Sequence, residues 1–258
     1  MRLPFEKYQG TGNDFVLIDN RNDLFPAGDL KLVKRICDRK FGVGSDGLML
    51  IEEHATADFK MVFHNPDGSQ SLCGNGSRCA VKFAKSLGLA GDSGSFETTD
   101  GFHDYYWQGD DVAVSMQSVN TFEEILGHRF IHTGSPHLIV YTENVARTDV
   151  AAMGSKYRYH PDFREMGGTN VNFVEVLNDG TYKVRTYERG VEAETLSCGT
   201  GVTAVALALA MDKNAGSTVM MHTRGGELTV LQTKTENGFS DIWLRGAATH
   251  VFSGIFHA

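Results

Sequence analysis

The 258-residue sequence lacks the marks of several protein classes. It has no run of lysines and arginines of the kind that grips phosphates, and its net charge of −8 argues against nucleic-acid partners. No apolar stretch reaches the ~20 residues needed to cross a bilayer. Met1-Arg2-Leu3-Pro4-Phe5-Glu6-Lys7 has no signal-peptide apolar core. These absences predict a soluble, cytoplasmic protein with neither a membrane nor a nucleic acid as partner. Cysteine is scarce: the four present do not suggest a disulfide scaffold, and a reducing compartment keeps them as thiols. No Cys-x-x-Cys pair occurs, Cys73 and Cys79 are too far apart for a zinc knuckle, and the histidines are scattered, so no metal site is expected.

The apolar content of 41% and charged content of 22% are ordinary for a globular protein, and the length suits one large or two small domains. Residues 202–211, Val-Thr-Ala-Val-Ala-Leu-Ala-Leu-Ala-Met, are apolar on every side, the pattern of a short helix buried in a protein interior. Directly before it stands Cys198-Gly199-Thr200-Gly201. The same construction appears earlier, where Cys73-Gly74-Asn75-Gly76 runs into a helical pattern that ends near Gly88. A smaller echo links Asn13-Asp14-Phe15-Val16 to Asn172-Phe173-Val174. The chain therefore reads as two related halves, residues 1–117 with 247–258 and residues 118–246, each presenting one cysteine at a helix entrance.

Around these helices the pattern is strand-rich. Strands are predicted over 5–9, 15–19, 48–52, 59–64, 95–98, 103–107 and 112–116 in the first half. In the second half they are predicted over 129–132, 138–141, 171–177, 181–187, 218–223, 227–233, 239–244 and 249–256. Residues 30–37 form a helix with Asp29 as N-cap, 148–153 a short helix, 118–124 the domain crossover and 156–165 a loop. Antiparallel strands with one buried helix per half define an α+β class.

The first N–H groups of a helix have no internal partner, and the helix dipole places partial positive charge there. Such an end attracts anions and lowers the pKa of a nearby thiol. Two cysteines at two such ends suggest that an α-amino-acid carboxylate lies at the helix termini while one sulfur removes the Cα proton and the other returns it. Cys37 and Cys79 lack this context and read as small buried hydrophobes. Taken alone, Asn65 before Pro66 reads as a turn residue, and Glu188 with Arg189 as a solvated pair at a strand end.

Thr11-Gly12-Asn13-Asp14-Phe15, the run from Arg39 through Gly42-Val43-Gly44-Ser45-Asp46-Gly47, Asn65-Pro66-Asp67-Gly68, both Cys-Gly-x-Gly segments, Gly168-Thr169-Asn170-Val171-Asn172-Phe173 and Tyr187-Glu188-Arg189-Gly190 follow one another in the order found in diaminopimelate epimerases. The chain resembles that family from about Lys7 to Gly254. The resemblance implies two pseudo-symmetric domains, each a curved, mostly antiparallel sheet wrapped around a central helix, with the site in the cleft between them. It implies interconversion of LL- and meso-diaminopimelate with neither pyridoxal phosphate nor metal, in a homodimer. Cys73 and Cys198 would form the thiolate/thiol pair, with His137 and Glu188 positioning protons near them. Gly74, Asn75, Gly199 and Thr200 would hold the reacting carboxylate through backbone amides. Asn13, Asn65, Asn172, Glu188 and Arg189 would hold the distal end. Two places depart from the family's usual form: Ser135 stands where Asn is usual, and the loop 189–195 is one residue longer.

Two other readings stay open on the residues alone. One is a cofactor-independent racemase for another amino acid, of histidine or proline type; the other is a non-catalytic amino-acid-binding or thiol redox protein. The first would not need Asn13, Asn65, Asn172 and Arg189 together. The second has no use for duplicated cysteines at helix ends.

Overall fold

In a computed structural model of the chain, which describes residues 1–26 and 28–258, the first two strands form a hairpin. β1 (Arg2–Gly10) turns through Thr11 and Gly12, both at positive φ, into β2 (Asn13–Asp19). A two-residue turn of that kind matches the twist of the strands it joins. Helix α1 (Leu30–Cys37) follows, with the Asp29 side chain accepting from Leu32 N at 3.0 Å. It buries Leu32, Val33, Ile36 and Cys37 against Val16, Ile18, Leu48 and Leu50. The helix is a crossover: β3 (Gly47–Glu52) lies parallel to β2, an arrangement that a tight turn cannot provide. β4 (Phe59–His64) returns antiparallel to β3. Helix α2 (Gly74–Ser86) then crosses to β5 (Ser93–Thr98), parallel to β4. β6 (Gly101–Gln108) and β7 (Asp111–Met116) complete an antiparallel meander.

The order then repeats. After the hairpin of β8 (Phe122–Ile125) and β9 (His128–His132), β10 (Pro136–Tyr141) runs antiparallel to β9. Helix α3 (Val150–Arg158) crosses to β11 (Asn170–Val176), parallel to β10, and β12 (Tyr182–Glu188) returns antiparallel. The short β13 (Ala193–Thr195) leads into helix α4 (Gly199–Asp212), which crosses to β14 (Thr218–Thr223), parallel to β12. β15 (Gly226–Lys234) and β16 (Phe239–Gly246) follow. The chain ends in β17 (Thr249–His257), antiparallel to β1. Met1–Val114 with Gly246–Ala258 forms one compact unit, and Ser115–Arg245 the other.

In each unit the second helix is the central one. α2 packs on β1 and β2, and α4 on β9, β10, β11 and β15. From Gly201 to Ala210 α4 is buried at every residue, as its apolar circumference requires. Among the described residues no helix is long and apolar enough to cross a membrane.

Three expectations need correction. Residues 156–165 are not a loop throughout. α3 continues to Arg158, and a 3-10 turn at Pro161–Phe163 follows, fixed by Phe163, which is buried and stacked on Phe130 at 5.6 Å. No strand is expected over 122–125, where β8 lies, because the exposed Glu123 and Glu124 hide the pattern of this short strand. Finally, the echo of Asn13 in Asn172 is not an equivalence. Asn13 opens β2, whereas Asn172 lies in β11, which occupies the place of β3 in the repeated order.

Candidate active site

The two cysteines have the same local geometry. Cys73 is the N-cap of α2 at φ −130°, ψ 104°, and Cys198 the N-cap of α4 at φ −127°, ψ 111°. Helical bonding starts with Ser77 N donating to the Cys73 carbonyl at 2.7 Å, and with Val202 N donating to that of Cys198 at 2.8 Å. In neither case does the sulfur cap its own helix. Each sulfur therefore sits where the N–H dipoles of a first turn converge, a setting that favours an anion. The last glycine of each motif keeps this end narrow. A side chain at Gly76 would meet the Met49 methyl and the Cys73 sulfur; one at Gly201 would meet the Asn172 amide oxygen and the Cys198 sulfur.

Behind Cys198 lies a buried polar chain contributed by β10, β11, β12 and α4. Thr186 Oγ1 donates to Asn172 Oδ1 at 3.0 Å, and Asn172 Nδ2 donates to the Leu138 carbonyl at 3.3 Å. These two bonds fix the orientation of the amide. The same Nδ2 faces His137 Nδ1 at 3.2 Å, so that ring nitrogen must accept. The ring proton is then on Nε2, 3.0 Å from Thr200 Oγ1. The Thr200 hydroxyl accepts from histidine and turns its own hydrogen toward the Cys198 sulfur, 3.5 Å away. A donor to sulfur stabilises the thiolate. Thr133 Oγ1 holds the Thr200 carbonyl at 2.8 Å. Burial, reinforced by the charges of His132 and Arg189, pushes the His137 pKa down to about 3. The ring is therefore neutral at physiological pH and serves as a fixed hydrogen-bond donor.

Around Cys73 the surroundings differ. Asn75, buried in the first turn of α2, donates through Nδ2 to Asn13 Oδ1 at 2.7 Å, and Asn13 Nδ2 donates to Asp46 at 3.0 Å. Arg78, one turn further on, is wholly buried. It donates to Thr11 Oγ1 at 3.1 Å and, over longer distances, to the Ala247 and Gly74 carbonyls. Burial lowers its pKa to about 10, leaving it cationic at neutral pH. At the matching position of the second motif stands Thr203, which returns its hydroxyl to the Gly199 carbonyl at 2.9 Å. Asn65 belongs to its own turn, its amide donating to Ser69 and Ser71. Cys79 is buried, its thiol pushed up to about 12, and Cys37 is raised in the same direction by the same cause. Both are inert at neutral pH.

Ser135, Asn170 and Arg189 form a third group, in the second unit. Asn170 Nδ2 donates to Ser135 Oγ at 2.8 Å, Asn170 Oδ1 accepts from Arg189 N at 2.8 Å, and Arg189 Nη2 reaches Ser135 Oγ at 3.5 Å. Glu188 closes β12, half-buried, beside Arg189. Asn170 was not among the expected site residues. Its signal was present, because Asn170 and Asn172 alternate on one face of β11 while Val171 and Phe173 enter the core on the other. Thr133, Thr186 and Arg78 were also missed, and nothing local to them marks them out. His128 and His132, spaced like a helical metal pair, lie on a strand, and His128 Nε2 is bonded to Tyr157 OH at 3.1 Å. Among the described residues no group of His, Cys, Asp and Glu is arranged to hold a metal ion.

The fold itself, a tandem of two such β-units around buried helices, is shared with a phenazine biosynthesis protein of the PhzF family from Bacillus anthracis. The two agree with a TM-score of 0.81 over all of both chains, at 14% identity. The family described as diaminopimelate epimerase matches residues 5–122 and 129–251. Diaminopimelate epimerase from Flavobacterium psychrophilum is 44% identical, the match spanning 95% of this chain and 97% of the relative. That from Aquifex aeolicus is 40% identical, over 98% and 97%. The chain belongs to the diaminopimelate epimerase family and is an isomerase, an epimerase.

Proposed function

We propose that this chain converts LL-diaminopimelate to meso-diaminopimelate by moving one α-proton between two cysteines, without pyridoxal phosphate or metal. The observation that carries the reading is the pair of helix ends capped by Cys73 and Cys198 at nearly the same backbone angles. Inverting a carbon needs a base on one face and an acid on the other, and two thiols of similar setting supply both. One sulfur enters each turnover as thiolate and leaves as thiol; the other does the reverse. The helix N–H groups of Gly74, Asn75, Gly199 and Thr200 take the reacting carboxylate and stabilise the charge that develops as the proton leaves. The His137–Thr200 chain supports the thiolate form of Cys198. Glu188 orients the transferred proton. Arg189, with Asn13 and Asn65 and with Ser135 through its hydroxyl, holds the distal amino-carboxylate end, whereas the buried Asn172, its amide engaged by Thr186, Leu138 and His137, orients the His137 ring instead.

On this reading the enzyme is cytoplasmic, serves lysine and cell-wall precursor synthesis, and works as a homodimer. Exposed Val251, Phe252 and Ile255 give β17 apolar surface for a second copy to cover. The test is epimerisation of LL-diaminopimelate in deuterated water after exhaustive dialysis against chelator. Deuterium should appear at the inverted carbon of the product, while remaining substrate gains little at early times. Activity that returns only when pyridoxal phosphate or a metal is added overturns the proposal.

A further inference from the structure

The loop that joins β12 to β13 is built around Glu192. The backbone of Glu192 is left-handed at φ 58°, a conformation open to glycine but strained for other residues. What the position gains from glutamate is its carboxylate. Oε1 accepts from Arg158 Nε at 3.2 Å and Nη2 at 2.8 Å and from Gly190 N at 3.0 Å, and Oε2 accepts from Tyr159 OH at 2.8 Å. The backbone of Glu192 is tied as well, its N–H to the Glu188 carbonyl at 2.9 Å and its carbonyl to Tyr187 OH at 2.9 Å.

The remaining arm of Arg158 leads toward Arg189. Arg158 Nη1 donates to the Gly167 carbonyl at 2.8 Å, and the carbonyl before it, that of Met166, accepts from Arg189 Nη1 at 3.1 Å. Two guanidinium groups thus hang from consecutive carbonyls. Gly168, at φ 90°, makes room, since a side chain there would run into the Arg158 guanidinium. The Glu192 carboxylate pairs with Arg158. Among the described residues, the Arg189 side chain is bonded to the Met166 carbonyl and the Ser135 hydroxyl. Burial and the charge of Arg158 lower the Arg189 pKa, and Glu192 opposes them.

We propose that Glu192, acting through Arg158 and the Met166 and Gly167 carbonyls, is the positioning residue for Arg189, and that it sets the enzyme's preference for substrates with a second carboxylate. Glu192 neutralises Arg158 and locks it, so that Arg189 alone is offered to an incoming anion. Without that clamp Arg158 becomes a second cation competing for the same carboxylate from the wrong place. The inference rests on the reading above, in which Arg189 takes the distal carboxylate.

The experiment is a double-mutant cycle of Glu192→Gln and Arg189→Ala, read as separate kcat and KM values for diaminopimelate. Glu192→Gln keeps the shape of the side chain. In the wild-type background it should raise KM about tenfold, the scale of one lost charge-assisted bond, with kcat nearly unchanged. In the Arg189→Ala background it should change KM no further, because the residue through which it acts is gone. Arg158→Lys, which keeps the charge but not the fork, should behave like Glu192→Gln and serves as a second route if that variant folds poorly. Equal KM effects in both backgrounds, or a fall in kcat alone, overturn the inference. Wild-type enzyme that does not turn over diaminopimelate overturns the functional reading instead.

Discussion

At His137 burial is complete and the imidazole stays neutral down to about pH 3. In the unfolded chain a histidine takes up its proton near pH 6.5. Below that pH the unfolded state therefore binds a proton that the folded state refuses, and stability falls as the solution is acidified through the window from 6.5 to 3. For this one group the loss between pH 7 and pH 5 is about 2 kcal/mol. Urea unfolding at the two pH values should show that slope, and His137→Gln should lower it by that amount. The same neutrality removes His137 as a proton carrier and leaves Thr200 as the group that touches sulfur. Thr200→Val keeps the size and deletes the hydroxyl. Losing a hydrogen bond to a charged group costs about 1.5–3 kcal/mol, so kcat should fall about 10–100-fold. The pH at which Cys198 becomes alkylated by iodoacetamide should rise, while that of Cys73 stays in place. A variant whose Cys198 midpoint does not move would remove the relay.

The two helix entrances look interchangeable in sequence but stand against different neighbours. Replacing an interior helical glycine by alanine favours the helix by up to about 1 kcal/mol. At Gly76 the new methyl meets the end of Met49, a flexible side chain, and the net change should stay within about 1 kcal/mol. At Gly201 it meets the Asn172 amide oxygen, which Thr186 holds in place, so overpacking should cost about 1–3 kcal/mol and disturb the His137 chain as well. Denaturant midpoints of Gly76→Ala and Gly201→Ala check the contrast; equal effects would contradict it. Much of this scale was legible in the sequence. The all-round apolarity of 202–211 gives the buried α4, and Asp29 gives the start of α1. Strand direction was not legible. In each unit every helix joins a parallel pair, β2 to β3, β4 to β5, β10 to β11 and β12 to β14, and alternation along one strand says nothing about the direction of its neighbour. For the same reason the Arg158–Glu192 ion pair, between residues far apart in sequence, was invisible until β12 and α3 were packed together.

At the scale of the whole chain the two units differ in how they are cut from the sequence. Ser115–Arg245 is continuous, whereas the other unit needs both ends of the chain. Its closing strand, β17, pairs along the length of β1, from Arg2 opposite His257 to Gln9 opposite Thr249. The segment before β17 supplies the Ala247 carbonyl to the buried Arg78 and the Ala248 carbonyl to Lys82, at 3.4 and 2.7 Å. Without residues 246–258, β1 becomes a bare edge and Arg78 loses an acceptor inside the core, a loss that a buried cation tolerates poorly. A fragment of residues 1–114 should therefore lack a cooperative unfolding transition, while residues 115–245 should unfold in a single step. The ends of the chain also meet: the Met1 amino group lies 3.0 Å from the Ala258 carbonyl. A short Gly/Ser linker can thus join Ala258 to Met1, making the first unit continuous as 246–258 followed by 1–114, and this permuted fragment should recover a cooperative transition in urea followed by circular dichroism. If the fragment 1–114 unfolds as sharply, and at the same midpoint, as the permuted one, then β17 is not the strand that closes this unit energetically.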